Sequence, residues 1–217
     1  AQPEGVKNSR NDIGRYPTSA PKLERLLKFF DIRPDRYGKS LMELFLQPRQ
    51  TGDHTWYLPF KGFDFDKLPV RSKGAGGGNR AYWRSVWHGT KPEAVYRELA
   101  SIAEGKGGLQ GSNNRKDGHR WNQDAQGVYV HADEQKSKID CYRRYAPCMG
   151  DFKFASMAFH CYCDENYRRK LNNRGKQMVF IANDDCHEEQ KASAKEIGMP
   201  GGPSIYYAGL EIDLRSF

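Results

Sequence analysis

The sequence predicts an α+β fold. Three observations carry that prediction. Alternating, β-branched or aromatic segments crowd the C-terminal half: "AYWRSVWHG", "GVYVHA", "FKFASMAFHCYCD", "KQMVFIAN" and "SIYYAGLEIDL". Two segments with helical spacing, "KPEAVYRELASIAEG" and "DEQKSKIDCYRRYA", come early among those strands. The length of 217 residues suits one domain of ordinary size with an extension.

The elements follow in chain order. Residues 1–20 are polar and broken by Pro3, Gly5, Gly14 and Pro17, so they read as an arm. Ser19 caps a predicted helix that begins at Pro21, a residue suited to a first helical position. Leu23, Leu26, Leu27, Phe29 and Phe30 form its apolar stripe. "DIRPDRYGKSLMELFLQ" predicts a turn at Pro34 and a second helix with Leu41, Leu44 and Phe45 inward. Residues 49–80 read as turn-rich, and "GAGGGNR" within them as a flexible linker. That run lacks the spacing of a phosphate-cradling loop. The predicted organisation is an arm at 1–20, a helical pair and linker at 21–80, and a main domain at 81–217.

Within the main domain, "AYWRSVWHG" is a predicted strand. The helix after it has Pro92 in its first turn and Gly105 near its end. "KGGLQGSNNRKDGHRWNQDAQ" is a loop by composition. In "FKFASMAFHCYCD", Phe152, Phe154, Ser156, Ala158, His160 and Tyr162 face one way, and Phe159, Cys161 and Cys163 the other.

The totals narrow the function classes. Lys plus Arg number 35 against 27 Asp plus Glu, a net +8 that favours polyanions such as RNA, DNA or a phosphorylated ligand. A soluble basic surface accounts for the same excess. No apolar run approaches the roughly 20 residues that span a bilayer, so no membrane role is expected. Nor does a charged n-region precede an apolar h-region at the start of the chain. Ala1 in place of Met suits a processed product or a fragment, such as part of a larger polyprotein. Five irregularly spaced cysteines point to reduced thiols and an intracellular setting, cytoplasmic or nuclear.

The order of motifs is the most specific feature. His88-Gly89-Thr90 ends a strand and opens a helix; Gly127-Val128-Tyr129 opens a later strand; Ser137-Lys138-Ile139-Asp140-Cys141-Tyr142 follows. Over residues 82–217 this order resembles the ADP-ribosyltransferase superfamily, in its poly(ADP-ribose) polymerase-like (diphtheria-toxin-like) class. The resemblance implies a split antiparallel β-sheet core, here with an N-terminal helical extension, and NAD as co-substrate. It implies that His88 hydrogen-bonds a ribose hydroxyl, with Thr90 doing likewise or bonding within the loop, that Tyr129 and Tyr142 wall a nicotinamide ring, and that Ser137 lies in the same site. A flat ring suits such aromatic walls. The backbone of Gly89 supplies the donor and acceptor that a carboxamide needs, and glycine lets it come close. Cleavage of the nicotinamide–ribose bond passes through an oxocarbenium-like state, which a carboxylate stabilises.

That carboxylate is where the chain departs from the family pattern. The polymerising enzymes carry a glutamate at the start of a late strand, and Ser204 or Ile205 falls at that position here. Glu211 is the acid that remains before Asp213, and it serves if it faces the pocket. The expected catalytic set is then His88, Tyr129 and Glu211, in a mono-transferase that attaches a single ADP-ribose to a protein or nucleic-acid acceptor. Two alternatives stay open. One is an inactive module of the same fold that binds RNA or protein. The other is an RNA 2′-phosphotransferase-like enzyme, for which Arg115, Lys116, His119 and Arg120 supply a basic cluster. Cys141, Cys148, His160, Cys161, Cys163, Cys186 and His187 are candidate zinc ligands without a CxxC pair, and no metal is expected.

Overall fold

The computed structural model describes residues 41–70, 83–105, 109, 127–136, 146–148, 153–169 and 177–216. Among these, the strands are β1 (Arg49–Gln50), β2 (Thr55–Pro59), β3 (Trp83–Thr90), β4 (Val128–Ala132), β5 (Ala146–Cys148), β6 (Lys153–Asp164), β7 (Gln177–Phe180) and β8 (Ile205–Ser216). The helices are α1 (Pro92–Ala103) and α2 (Glu188–Ile197). The strands form one sheet in the order β1-β2-β8-β6-β3-β4-β7, with β5 added along β6, and every pairing is antiparallel. The architecture is α+β, with a mixed helix complement on an antiparallel sheet.

The alternation of β6 decides where the core lies. Ala155, Met157, Phe159, Cys161 and Cys163 are buried in the main apolar cluster, together with Leu58, Val86, Val130, Phe180, Leu210 and Ile212 from the neighbouring strands. Helix α1 closes that face by turning Val95 and Leu99 inward. It packs against the 3-10 turn Leu41–Leu44 and against β6. Pro92 occupies its first turn, where a missing N–H costs nothing. The opposite face of the sheet carries Tyr57, Trp87, Ala158, His160, Glu211 and Asp213, so two buried acids stand where a second apolar layer would be expected.

Three expectations are corrected. The helix expected to run through Gln47 yields to the sheet. Phe45 bridges Phe60, Leu46 N–H donates to Pro59 O at 2.8 Å, and Lys61 N–H donates to Leu44 O at 2.7 Å. The turn-rich reading of residues 49–80 misses β1 and β2, so strands from both sides of the 80/81 boundary share one sheet. In the helix expected from Asp133, residues 133–136 form a 3-10 turn and Ala146 pairs with Ala155 in the sheet. Helix α2 went unpredicted because it buries only Ala194. Its ends carry the stop signals nonetheless: a His187–Gln190 reciprocal cap, and Gly198 at φ 70°. The arm, the first helix, the Gly-rich run and the loop cluster at 115–120 lie outside the described residues.

One irregularity sets the phase of β8. Cys161 pairs with Tyr207 but His160 pairs with Gly209, so Ala208 is an extra residue in the ladder. Its carbonyl accepts from Phe60 N–H at 2.9 Å.

Candidate functional site

Strands β3 and β4 are joined for only two residue pairs, Val86↔Ala132 and Trp87↔His131. Beyond them β3 continues along β6 alone, through His88↔Phe159, Gly89↔Ala158 and Thr90↔Met157. Strand β4 likewise continues along β7, with Tyr129↔Val179. At this parting a side chain replaces the missing backbone bond: the His88 imidazole meets the Tyr129 carbonyl, Nδ1 to O at 2.8 Å.

That contact fixes the chemistry of His88. A carbonyl only accepts, so Nδ1 carries the proton. Burial pushes the His88 pKa below its usual value, and the Tyr129 carbonyl opposes this. The ring is therefore neutral near pH 7, and Nε2 presents a lone pair. Among the described residues no hydrogen bond to Nε2 is found. The arrangement suits a hydroxyl donor from outside the chain.

The second motif, Gly127-Val128-Tyr129, has a steric origin at its first residue. Gly127 adopts φ +150°, and a Cβ there would sit 2.5 Å from Phe180 O and 2.8 Å from Val179 Cγ1. Glycine is demanded by the approach of β4 to β7. The Tyr129 side chain is buried, and the residue's contact with His88 runs through its carbonyl rather than its ring.

Glu211 stands in one register row with Tyr57, Ala158 and Gly89: Tyr57↔Glu211, Glu211↔Ala158, Ala158↔Gly89. Residues opposite one another share a face, so Glu211 lies on the Gly89 and Tyr129 side of the sheet, two strands from Gly89, about 10 Å at ordinary spacing. His88 leaves β3 from the other face and reaches into the parting. Glu211 is buried and ion-paired with Lys136. Lys136 Nζ also lies 3.7 Å from the centre of the Trp87 ring.

Trp87 is held on two sides. Its Nε1 donates to Asp133 Oδ1 at 2.6 Å, and its ring stacks on His160 with centroids 4.6 Å apart and planes at 16°. His160 is in turn pinned at both nitrogens, Nδ1 with the Tyr57 hydroxyl and Nε2 with Ser85 Oγ, each at 2.8 Å. Burial is the main cause that lowers the His160 pKa to about 4; Lys136 lowers it further, and Asp133 and Glu211 oppose. Burial likewise raises the Tyr57 phenol, against the Arg49 guanidinium 5.7 Å from its ring centre. The result is a neutral, interlocked platform of Tyr57, His160 and Trp87 beside a carboxylate.

The predicted residues divide accordingly. His88, Gly89 and Tyr129 meet at the parting of β3 and β4, with Thr90 one residue on; Glu211 shares their sheet but is engaged by Lys136. Ser137 and Tyr142 lie outside the described residues. Ser204 and Ile205 are both buried, Ser204 Oγ donating to Ile181 O at 2.6 Å, so neither offers an acid. Among the zinc candidates, Cys161 and Cys163 are buried in the core with pKa values raised by burial, while the adjacent His160 faces the opposite side with both nitrogens engaged. Cys186 is buried and donates to Ala182 O, and Cys141 is outside the described residues. No group of three or more His, Cys, Asp or Glu among the described residues is placed to hold a metal ion. Sequence reading overlooked Trp87, Asp133, Lys136 and Tyr57. Trp87 had a signal, since it directly precedes His88 in an alternating strand; Lys136 had none.

No protein-family model matches the chain, and no curated protein matches it. Among the described residues no helix is long and apolar enough to cross a membrane.

Proposed function

We infer that this chain is an NAD-dependent ADP-ribosyltransferase. One observation carries the reading: a neutral histidine, His88, fixed by the Tyr129 carbonyl with Nε2 left as acceptor, where two strands part beside Gly89. A ribose hydroxyl is the kind of donor that Nε2 would take. Gly89 has no side chain, so its backbone is open to close approach by a carboxamide. NAD would bring a nicotinamide–ribose bond whose cleavage builds positive charge on the ribose. Glu211, on the Gly89 face of the sheet, is the carboxylate that would stabilise that charge, once Lys136 yields it. The acceptor is a protein or nucleic acid, and the net +8 would draw an acidic one.

The Lys136–Glu211 pair also favours a second reading, a module of the same architecture that binds RNA or protein without turnover. Incubation with labelled NAD separates the two. The enzyme releases nicotinamide and labels itself or an added acceptor, and His88→Ala abolishes both. Absence of turnover together with no NAD-dependent thermal stabilisation would sink the transferase reading. Salt-dependent RNA affinity that survives His88→Ala would establish the module.

A further inference from the structure

We propose that the Trp87 ring face and the Glu211 carboxylate form a seat for a guanidinium group of the acceptor, and that Lys136 fills it when no acceptor is bound. Three observations converge on it. First, the Lys136 ammonium touches both elements, lying 3.7 Å from the Trp87 centroid and paired with Glu211. A seat that holds one cation in this way is built for cations. Second, the platform is rigid before anything binds: Asp133 fixes the indole edge, His160 backs its other face, and Tyr57 and Ser85 pin His160. Third, the next acid on the same face, Asp213, already holds a guanidinium, since Arg215 Nε and a terminal nitrogen both donate to its Oδ2 at 3.1 and 2.9 Å. Ser156 lies opposite Asp213 on that face, with its Oγ buried and without a hydrogen-bond partner.

A planar guanidinium matches the seat better than the ammonium that occupies it. It stacks flat on an indole, is more weakly hydrated, and offers paired N–H donors to one carboxylate. Lys136 is partly exposed, so its side chain has a route out to solvent. Exchange of one cation for the other keeps Glu211 neutralised throughout, which avoids leaving a buried charge alone.

The role as acceptor site rests on the transferase reading. On that reading the ribose C1′–nitrogen bond to nicotinamide breaks, and both its electrons stay on the ring nitrogen, which becomes neutral. A guanidinium nitrogen forms the new C1′–N bond and loses one proton to Glu211, which returns it to solvent. The product keeps its guanidinium charge, so atoms and charge balance as NAD plus guanidinium giving ADP-ribosyl-guanidinium, nicotinamide and one proton.

The test uses the intact wild-type chain. Amine acylation by an N-hydroxysuccinimide ester is followed at Lys136 by peptide mass spectrometry, with butylguanidine, which has no amine to consume the ester, as the guanidinium probe and sodium chloride at matched ionic strength as control. Butylguanidine should raise Lys136 labelling several-fold and saturably, and sodium chloride should not. Lys136→Met should bind butylguanidine more tightly than wild type, read as thermal stabilisation, and Lys136→Met/Glu211→Gln should lose the effect. Unchanged Lys136 labelling across the butylguanidine titration overturns the seat, whether or not the variants fold. Labelled NAD with butylguanidine then reports on transfer separately. A labelling response without ADP-ribosyl-butylguanidine keeps the seat and fails the transferase reading. Transfer to other acceptors without a labelling response keeps the transferase and overturns the seat.

Discussion

Replacing Glu98 by glutamine should stabilise the protein at alkaline pH and leave it unchanged at acid pH. Glu98 points from α1 into the core, 9% exposed, where the Tyr207 hydroxyl donates to it and itself accepts from Leu109 N–H. Burial raises its pKa from the ordinary 4.5 to about 7; the Tyr207 hydrogen bond opposes the rise and Asp184 adds to it. A folded pKa above the unfolded one means that the native state holds the proton more tightly. The associated stability is complete below pH 4.5 and is lost as pH rises through about 7. The gap of about 2.5 pH units, at about 1.4 kcal/mol each, sets a cost of about 3 kcal/mol at pH 8. Glutamine keeps an oxygen for Tyr207 and has no charge to bury. Urea midpoints measured for both proteins from pH 5 to pH 8 should therefore diverge, with Glu98→Gln gaining about 3 kcal/mol on the parent across that span. Cys161 and Tyr207, which also face Glu98, have pKa values raised far above that window, so neither contributes a step inside it. Parallel curves would refute the reasoning and show that Glu98 meets water or a cation in the native state.

Other expectations follow from the same physics. His160 works in the opposite direction: its folded pKa of about 4 lies below the ordinary 6.5, so its contribution is complete above pH 6.5 and is lost as pH falls through 4. His160→Gln should flatten the acid limb of a urea-midpoint profile by up to about 3 kcal/mol, measured relative to the parent. Gly127→Ala should cost about 2 kcal/mol or more in a chemical denaturation series, because the new methyl meets the Phe180 carbonyl at 2.5 Å and the φ of +150° is strained. Gly209→Ala should be poorly tolerated alone and relieved by Tyr57→Ala, since a Cβ at 209 would lie 2.3 Å from the Tyr57 ring; additive losses in that double-mutant cycle would contradict the packing.

Periodicity carried the reading furthest where one face was apolar. In β6, Met157, Phe159, Cys161 and Cys163 are all buried in the core, so alternation alone placed His160 on the other side. It failed where burial was slight or the segment short. Strand β2 is five residues long and ends in proline, so nothing local distinguishes it from a turn; its pairing with β8 makes it a strand. Helix α2 has no apolar stripe to detect. The site divides in the same way. His88, Gly89 and Tyr129 were visible because their order in the chain is itself the signal. The engagement of Glu211 by Lys136, 75 residues earlier, is a fact of tertiary geometry that no local pattern encodes.

The extra residue in β8 gives the polar face a dependence that a residue-by-residue view conceals. Tyr207 and Leu210 both point into the core although they are three apart, and Ala208 absorbs the odd step between them. Were Ala208 to take a paired place in the ladder, the strand before it would keep its place while everything after it turned over. Leu210 and Ile212 would then meet the Trp87 platform, and Glu211 and Asp213 would be driven among Phe159 and Val86. A single-codon deletion at 208, by contrast, would leave both faces as they are, because Gly209 already pairs with His160 and Tyr207 and Leu210 would then stand two apart. Substitution at Ala208 also leaves that parity intact, so the bulged conformation at this position, more than the identity of its residue, specifies which side of the sheet carries the acids.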